Sequence, residues 1–131
     1  MANNGLLVGK LIFLTLSNDS AITEYVGDKI YPVVAPYEVT NPYIVFTRVN
    51  DSGTQYSKDG VYGDTINFQI SVFSDKYIEA VEVANLVRNS FEDHRISNNE
   101  LEIYNIRMTS ASEQFVEDTY IQQLTFDCQT E

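Results

Sequence analysis

The hydrophobic positions of this chain change period several times, and each change marks an element. Leu6 to Leu16 is the most apolar run; it lacks strand alternation and is rich in helix formers. Projected at about 100° per residue, Leu7, Leu11 and Leu14 share one face, while Ile12, Phe13 and Leu16 lie on other sides. A helix apolar almost all round must be covered on more than one side; the domain core can cover one, and a second chain is a natural cover for the other. Ser17 to Ser20 breaks it, and Asp19 or Ser20 can cap a short second helix over Ala21 to Val26 that Gly27 ends. Lys29 to Val34 reads as a strand entry, with Pro32 placing it at an edge, and Pro36 and Pro42 frame a loop.

Tyr43 to Val49 alternates as a strand. Asn50 to Gly63 carries three glycines with Asp51 and Asp59, which is turn chemistry, although Thr54 to Ser57 can extend the flanking strands. Asp64 to Phe73 is the clearest strand: Ile66, Phe68, Ile70 and Val72 alternate with Thr65, Asn67, Gln69 and Ser71. Asp75 to Asp93 is the clearest helix, capped by Ser74 or Asp75. Its stripe of Tyr77, Ala80, Val81, Ala84, Val87 and Phe91 faces the sheet, and Ile78 and Leu86 fall off that stripe. Leu101 to Met108 reads as a strand with Leu101 and Ile103 buried and Tyr104 a further candidate. Thr109 to Asp118 reads as a polar connection, and Thr119 to Cys128 as a final strand with Tyr120, Leu124, Phe126 and Cys128 on one face. The order implies one α+β domain over residues 1–131, with N-terminal helices and a mostly antiparallel sheet that carries a long amphipathic helix on one face.

Composition narrows the function. At 131 residues, 44% hydrophobic and 21% charged, the chain can build one core. The net charge is −11, and no lysine or arginine follows Arg107, whereas Glu113, Glu117, Asp118, Asp127 and Glu131 do. Such a surface repels phosphate, which argues against holding nucleic acid or an anionic membrane. The apolar N-terminal run is shorter than the ~20 residues of a bilayer span and lacks the basic flank and cleavage site of a signal peptide.

Candidate chemistry is sparse. Cys128 is the one cysteine and His94 the one histidine, so neither a disulfide nor a Cys/His zinc cluster can form within the chain. Cys128 reads as a small apolar strand residue and His94 as part of a solvated helix end. The Asp51, Asp59 and Asp64 spacing does not match an EF-hand, and Gly60 to Gly63 leads into a strand where a phosphate loop would open a helix. Catalytic, cofactor and metal residues are therefore expected to be none, and the chain is expected not to be an enzyme.

Four local patterns, taken in order, resemble the bacteriophage tail-completion family, whose members act as tail terminators or head-to-tail joining proteins. They are the apolar helix with the following Tyr25-Val26-Gly27-Asp28-Lys29-Ile30-Tyr31-Pro32, then Asn41-Pro42-Tyr43-Ile44-Val45-Phe46. Next comes the Gly/Asp loop followed by Thr65-Ile66-Asn67-Phe68-Gln69-Ile70-Ser71-Val72-Phe73, and last the Tyr77–Phe91 helix centred on Ala84-Asn85-Leu86-Val87-Arg88. The resemblance covers roughly residues 5–92.

The resemblance implies a virion protein, made in the host cytoplasm, that forms a ring, commonly a hexamer, at the head-proximal end of the tail. The ring caps the tail tube and joins it to the head through neck or connector proteins, with DNA passing through the lumen without being bound specifically. The expected interface residues are Leu7, Leu11, Phe13 and Leu16 on the first helix and Asp51, Tyr56 and Asp59 in the first loop. Ile78 and Leu86 on the long helix join them, with Phe115, Glu117 and Asp118 in the later connection. Two alternatives are a neck or head-completion connector ring and a small acidic protein-binding module.

Overall fold

Two helices lead this chain, and a third interrupts the strands that follow. The structure, a computed structural model, describes residues 4–57 and 60–130. A 3₁₀ turn, Gly5–Leu7, runs into α1, Val8–Ser17. Val8, Leu11, Ile12 and Leu16 recur at helical spacing and are buried. Leu14, expected to share a face with Leu11, instead stands 44% exposed. The helix α2, Ser20–Val26, starts where the Asp19 carboxylate accepts from the Ala21 and Ile22 amides at 3.0 and 3.3 Å. It ends at Gly27, whose φ of 63° and ψ of −128° form a backbone conformation that glycine, lacking a Cβ, adopts freely.

The strands are β1 (Ile30–Pro32), β2 (Tyr43–Ser57), β3 (Gly60–Ser74), β4 (Ile96–Ser97), β5 (Glu102–Val116) and β6 (Thr119–Thr130). Between β3 and β4 lies α3, Tyr77–Phe91. Among the described residues these strands form one mixed sheet in the order β1-β2-β3-β6-β5-β4, and β1 pairs parallel to β2 while the other neighbours pair antiparallel. The fold is α+β, with three α-helices and a six-stranded mixed sheet.

One sheet face is the core. Ile44 and Phe46 of β2, Ile66, Phe68, Ile70 and Val72 of β3, and Leu124, Phe126 and Cys128 of β6 are all buried on it. Their registers align them, with Ile44 opposite Val72, Phe68 opposite Phe126 and Ile66 opposite Cys128. Phe68, Phe91 and Phe126 pack as a trio with centroids 5.2 to 5.8 Å apart, which seats α3 on β3 and β6. The buried residues of α3 are Ala80, Val83, Ala84, Val87 and Phe91. Tyr77 and Val81, expected on that stripe, are 43% and 36% exposed, because the sheet lies toward Val83 and away from them. The helix begins at Tyr77, two residues later than expected, with the Ser74 hydroxyl accepting from the Lys76 amide and donating to Glu79.

Both long polar stretches turn out to be strand. Over residues 50–63, β2 runs on to Ser57 and β3 resumes at Gly60, an arm extending past the end of β6. Residues 109–116 continue β5, and only Glu117 and Asp118 form the turn to β6, both with positive φ (52° and 62°). Such a two-residue turn matches the right-handed twist of a hairpin. Turn-like composition misleads over residues 109–116 because that exposed arm buries little and so tolerates Ser and Thr.

In β5, Tyr104 pairs with Gln129 and Arg107 with Asp127, so two residues face Cys128 alone. This is a β-bulge, and Asn105 takes φ 51° within it. The bulge shifts the side-chain parity by one, which buries Ile106 alongside Ile103 and leaves Tyr104 half-buried. A second shift falls between Met108 and Ser110. Glu92, just past α3, holds this segment: its carboxylate accepts from the Met108 amide at 3.0 Å and pairs with Arg88 at 3.0 Å.

Candidate assembly surfaces

The outer side of α1 and the edge strand β1 enclose a groove of about 520 Å³ lined by Gly9, Lys10, Phe13, Leu14, Pro32 and Phe46. Phe13 leans on Phe46 with centroids 6.3 Å apart and remains 41% exposed. The walls are almost wholly apolar, and the one charge is Lys10, paired with Glu100 at 2.7 Å at an exposed site. This geometry follows from α1 carrying apolar residues on two sides: one side meets the sheet and the other is left facing outward.

A second apolar surface lies where the β5–β6 hairpin meets the start of α3. Phe115 of β5 packs on Tyr120 of β6 at 4.6 Å, and Tyr77 meets Tyr120 edge-on at 5.5 Å. Glu113 accepts from the Tyr77 hydroxyl and from Gln122, and the Tyr77 pKa is raised chiefly by that hydrogen bond to a carboxylate. Phe115 is 57% exposed, Val116 49% and the neighbouring Ile78 64%.

The expected interface residues divide accordingly. Phe13, Ile78, Phe115, Glu117 and Asp118 are exposed. Leu11 and Leu16 are not available to a partner: both lie in the core, at 2% and 0% exposure, because they sit on the face of α1 that covers the sheet. Leu7 is half-buried, and Leu86 is half-buried against the core. Asp51 is half-buried beside the chain start, where a Cβ on Gly5 would lie 2.6 Å from its carboxylate. Asp59 and the side chain of Tyr56 lie outside the described residues. Sequence reasoning missed Leu14, Pro32 and Phe46 as groove walls; their exposure or convergence is decided by tertiary packing that periodicity does not carry.

Cys128 is buried, and burial pushes its thiol up to about 12. His94 is exposed, with Nε2 2.9 Å from the Asn89 carbonyl. Among the described residues no group of three or more His, Cys, Asp or Glu is placed to hold a metal ion, and no single helix is long and apolar enough to cross a membrane.

A family model described as Tail completion protein gp17 matches residues 10–130. Among solved structures, a chain of the "Virion of native gene transfer agent (GTA) particle" superposes with a TM-score of 0.76 at 20% identity, covering 93% of this chain and 92% of that one. A second solved chain superposes with a TM-score of 0.70 at 10% identity, covering 95% of this chain and 94% of that one. At these identities the likeness is one of fold. No curated protein matches the sequence.

Proposed function

The chain belongs to the tail completion protein gp17 family, a family of phage tail structural proteins, and from that premise we propose that it works as a ring of identical copies at the head-proximal end of a tail. In this reading the ring caps the tube, ends its growth and presents the surface that the filled head meets through neck proteins. Six is the expected number of copies. The observation that carries the proposal is the family match over residues 10–130.

Physical features of the chain support it. The groove beside α1 and the aromatic surface around Tyr120 leave apolar area uncovered on a single copy, and burying such area is what drives association. The net charge of −11 suits a lumen through which DNA slides, because cationic contacts to phosphate would hold it back. The whole of residues 1–131 acts as one unit in this proposal, without cofactor or catalytic group.

Light scattering of the purified chain over a range of concentrations, alone and with isolated tail tubes, tests the reading. A ring-sized species, or a monomer that becomes one on a tube, is the expected result. A monomer under both conditions contradicts it, and a stable one-to-one complex with a host protein would replace it with an acidic binding module.

A further inference from the structure

We propose that the tip of the β5–β6 hairpin of one copy seats in the α1 groove of the next copy. The proposal rests on the ring reading and deepens it by naming the two surfaces that meet.

The first argument is chemical fit. The groove offers apolar walls (Phe13, Leu14, Pro32 and Phe46) and one charge, the cation of Lys10. The hairpin tip offers Phe115 and Val116, both about half exposed, followed directly by the acidic pair Glu117 and Asp118. Phe115 and Val116 lie on opposite faces of the hairpin, so a tip entering the groove sets one against each apolar wall while the acids meet the ammonium. In a chain with 19 acidic and 8 basic side chains, a cation at the rim of an uncovered apolar groove is a scarce feature, and most other placements of an acidic tip would be repelled. Lys10 is paired with Glu100, but both side chains are well exposed, so exchanging or sharing that ion pair costs little.

The second argument is position. β1 forms one edge of the sheet and β5 lies four strands away, a separation of about 19 Å at ordinary strand spacing. The groove stays open in the single copy, where Phe13 and Leu14 stand exposed, so a copy's own hairpin does not fill its own socket. Two different patches that fit each other make a heterologous contact, which yields a ring when the rotation closes.

The third argument is stiffness. β5 and β6 stay paired out to Val116 and Thr119, and β6 is also paired with β3 as far as Tyr120. The tip arrives already ordered, so little conformational freedom is lost when it docks.

Two variants test the contact. Leu14→Asp disables the socket and Phe115→Asp the plug; both side chains are exposed in the single copy, so each variant is expected to keep the wild-type circular dichroism. Each alone should require about thirtyfold more protein to assemble, the effect of losing one interface hot spot. Mixed one-to-one, they should give a dimer and nothing larger, since only one good plug and one good socket remain. Lys10→Glu should also weaken assembly, and Glu117→Lys with Asp118→Lys in the same chain should restore it. Undiminished assembly of either Asp variant, a mixture that stays monomeric, or a charge exchange that fails to restore overturns this contact while leaving the ring reading intact. A wild-type chain that never assembles, with tubes or without, overturns the ring reading itself.

Discussion

Removing the carboxylate of Glu92 is the sharpest test of how α3 positions β5 and its hairpin arm. One oxygen accepts from the Met108 amide at 3.0 Å, beside the second register shift of β5, and the other pairs with Arg88 at 3.0 Å. Glu92→Ala leaves the half-buried Met108 amide without that acceptor. A hydrogen bond to a charged group contributes about 1.5–3 kcal/mol when shielded, and the side chain here is 25% exposed, so the lower end applies. The helical ion pair with Arg88 adds about 0.3–0.5 kcal/mol. The expected loss is therefore about 2 kcal/mol, and Glu92→Gln, which keeps an acceptor but not the charge, should lose about half of that.

The pH dependence follows from the same bonds. The Met108 amide, and then Arg88, hold the Glu92 pKa below its ordinary 4.5. A depressed carboxylate contributes stability that is fully present above the unfolded value and is lost as pH falls through the folded value. The gap between wild type and Glu92→Gln should thus be constant from pH 8 to 6 and shrink as the pH drops below the ordinary glutamate range. Urea unfolding at a series of pH values measures it. A Glu92→Ala loss under about 0.5 kcal/mol at pH 7, the level of an ordinary surface change, or a gap that does not respond to acid, would refute the reasoning.

Three further outcomes are expected. Phe126→Ala should destabilise by about 3–5 kcal/mol, because it empties the centre of the Phe68–Phe91–Phe126 trio, and denaturant titration measures it. Cys128 should resist thiol reagents in the folded chain at pH 8 and react on unfolding. Its raised pKa predicts stability that is level below pH 8 and falls as the pH climbs from the ordinary thiol value of 9.0 toward about 12, as seen by thermal melts across pH. Replacing Glu117 and Asp118 by Asn and Gly should raise the melting temperature, since both positions hold positive φ, yet weaken assembly by removing the acids of the tip; calorimetry and light scattering read the two effects separately.

Much of the architecture was legible because burial writes a period into the chain. The β3 sequence alternates polar and apolar from Thr65 to Val72, and α2 is bracketed by a carboxylate cap and a glycine stop, so these elements could be placed from residues alone. β5 could not be placed in full: the bulge at Asn105 puts Ile106 out of phase with Ile103, and the arm beyond Met108 places no residue in the core. On α1, apolar residues all round announced two covered faces but not which residue served which. Leu11 and Leu16 go inward, and Phe13 and Leu14 outward, only because the sheet lies where it does. The groove itself joins α1 to Pro32 and Phe46, contacts between distant parts of the chain that no local pattern encodes.

Electron microscopy of particles assembled without this chain tests its role most directly. If it forms the ring that ends the tail tube and joins it to the head, its loss should leave filled heads apart from tails, and tails of uncontrolled length. Joined particles with tails of normal length would contradict the account.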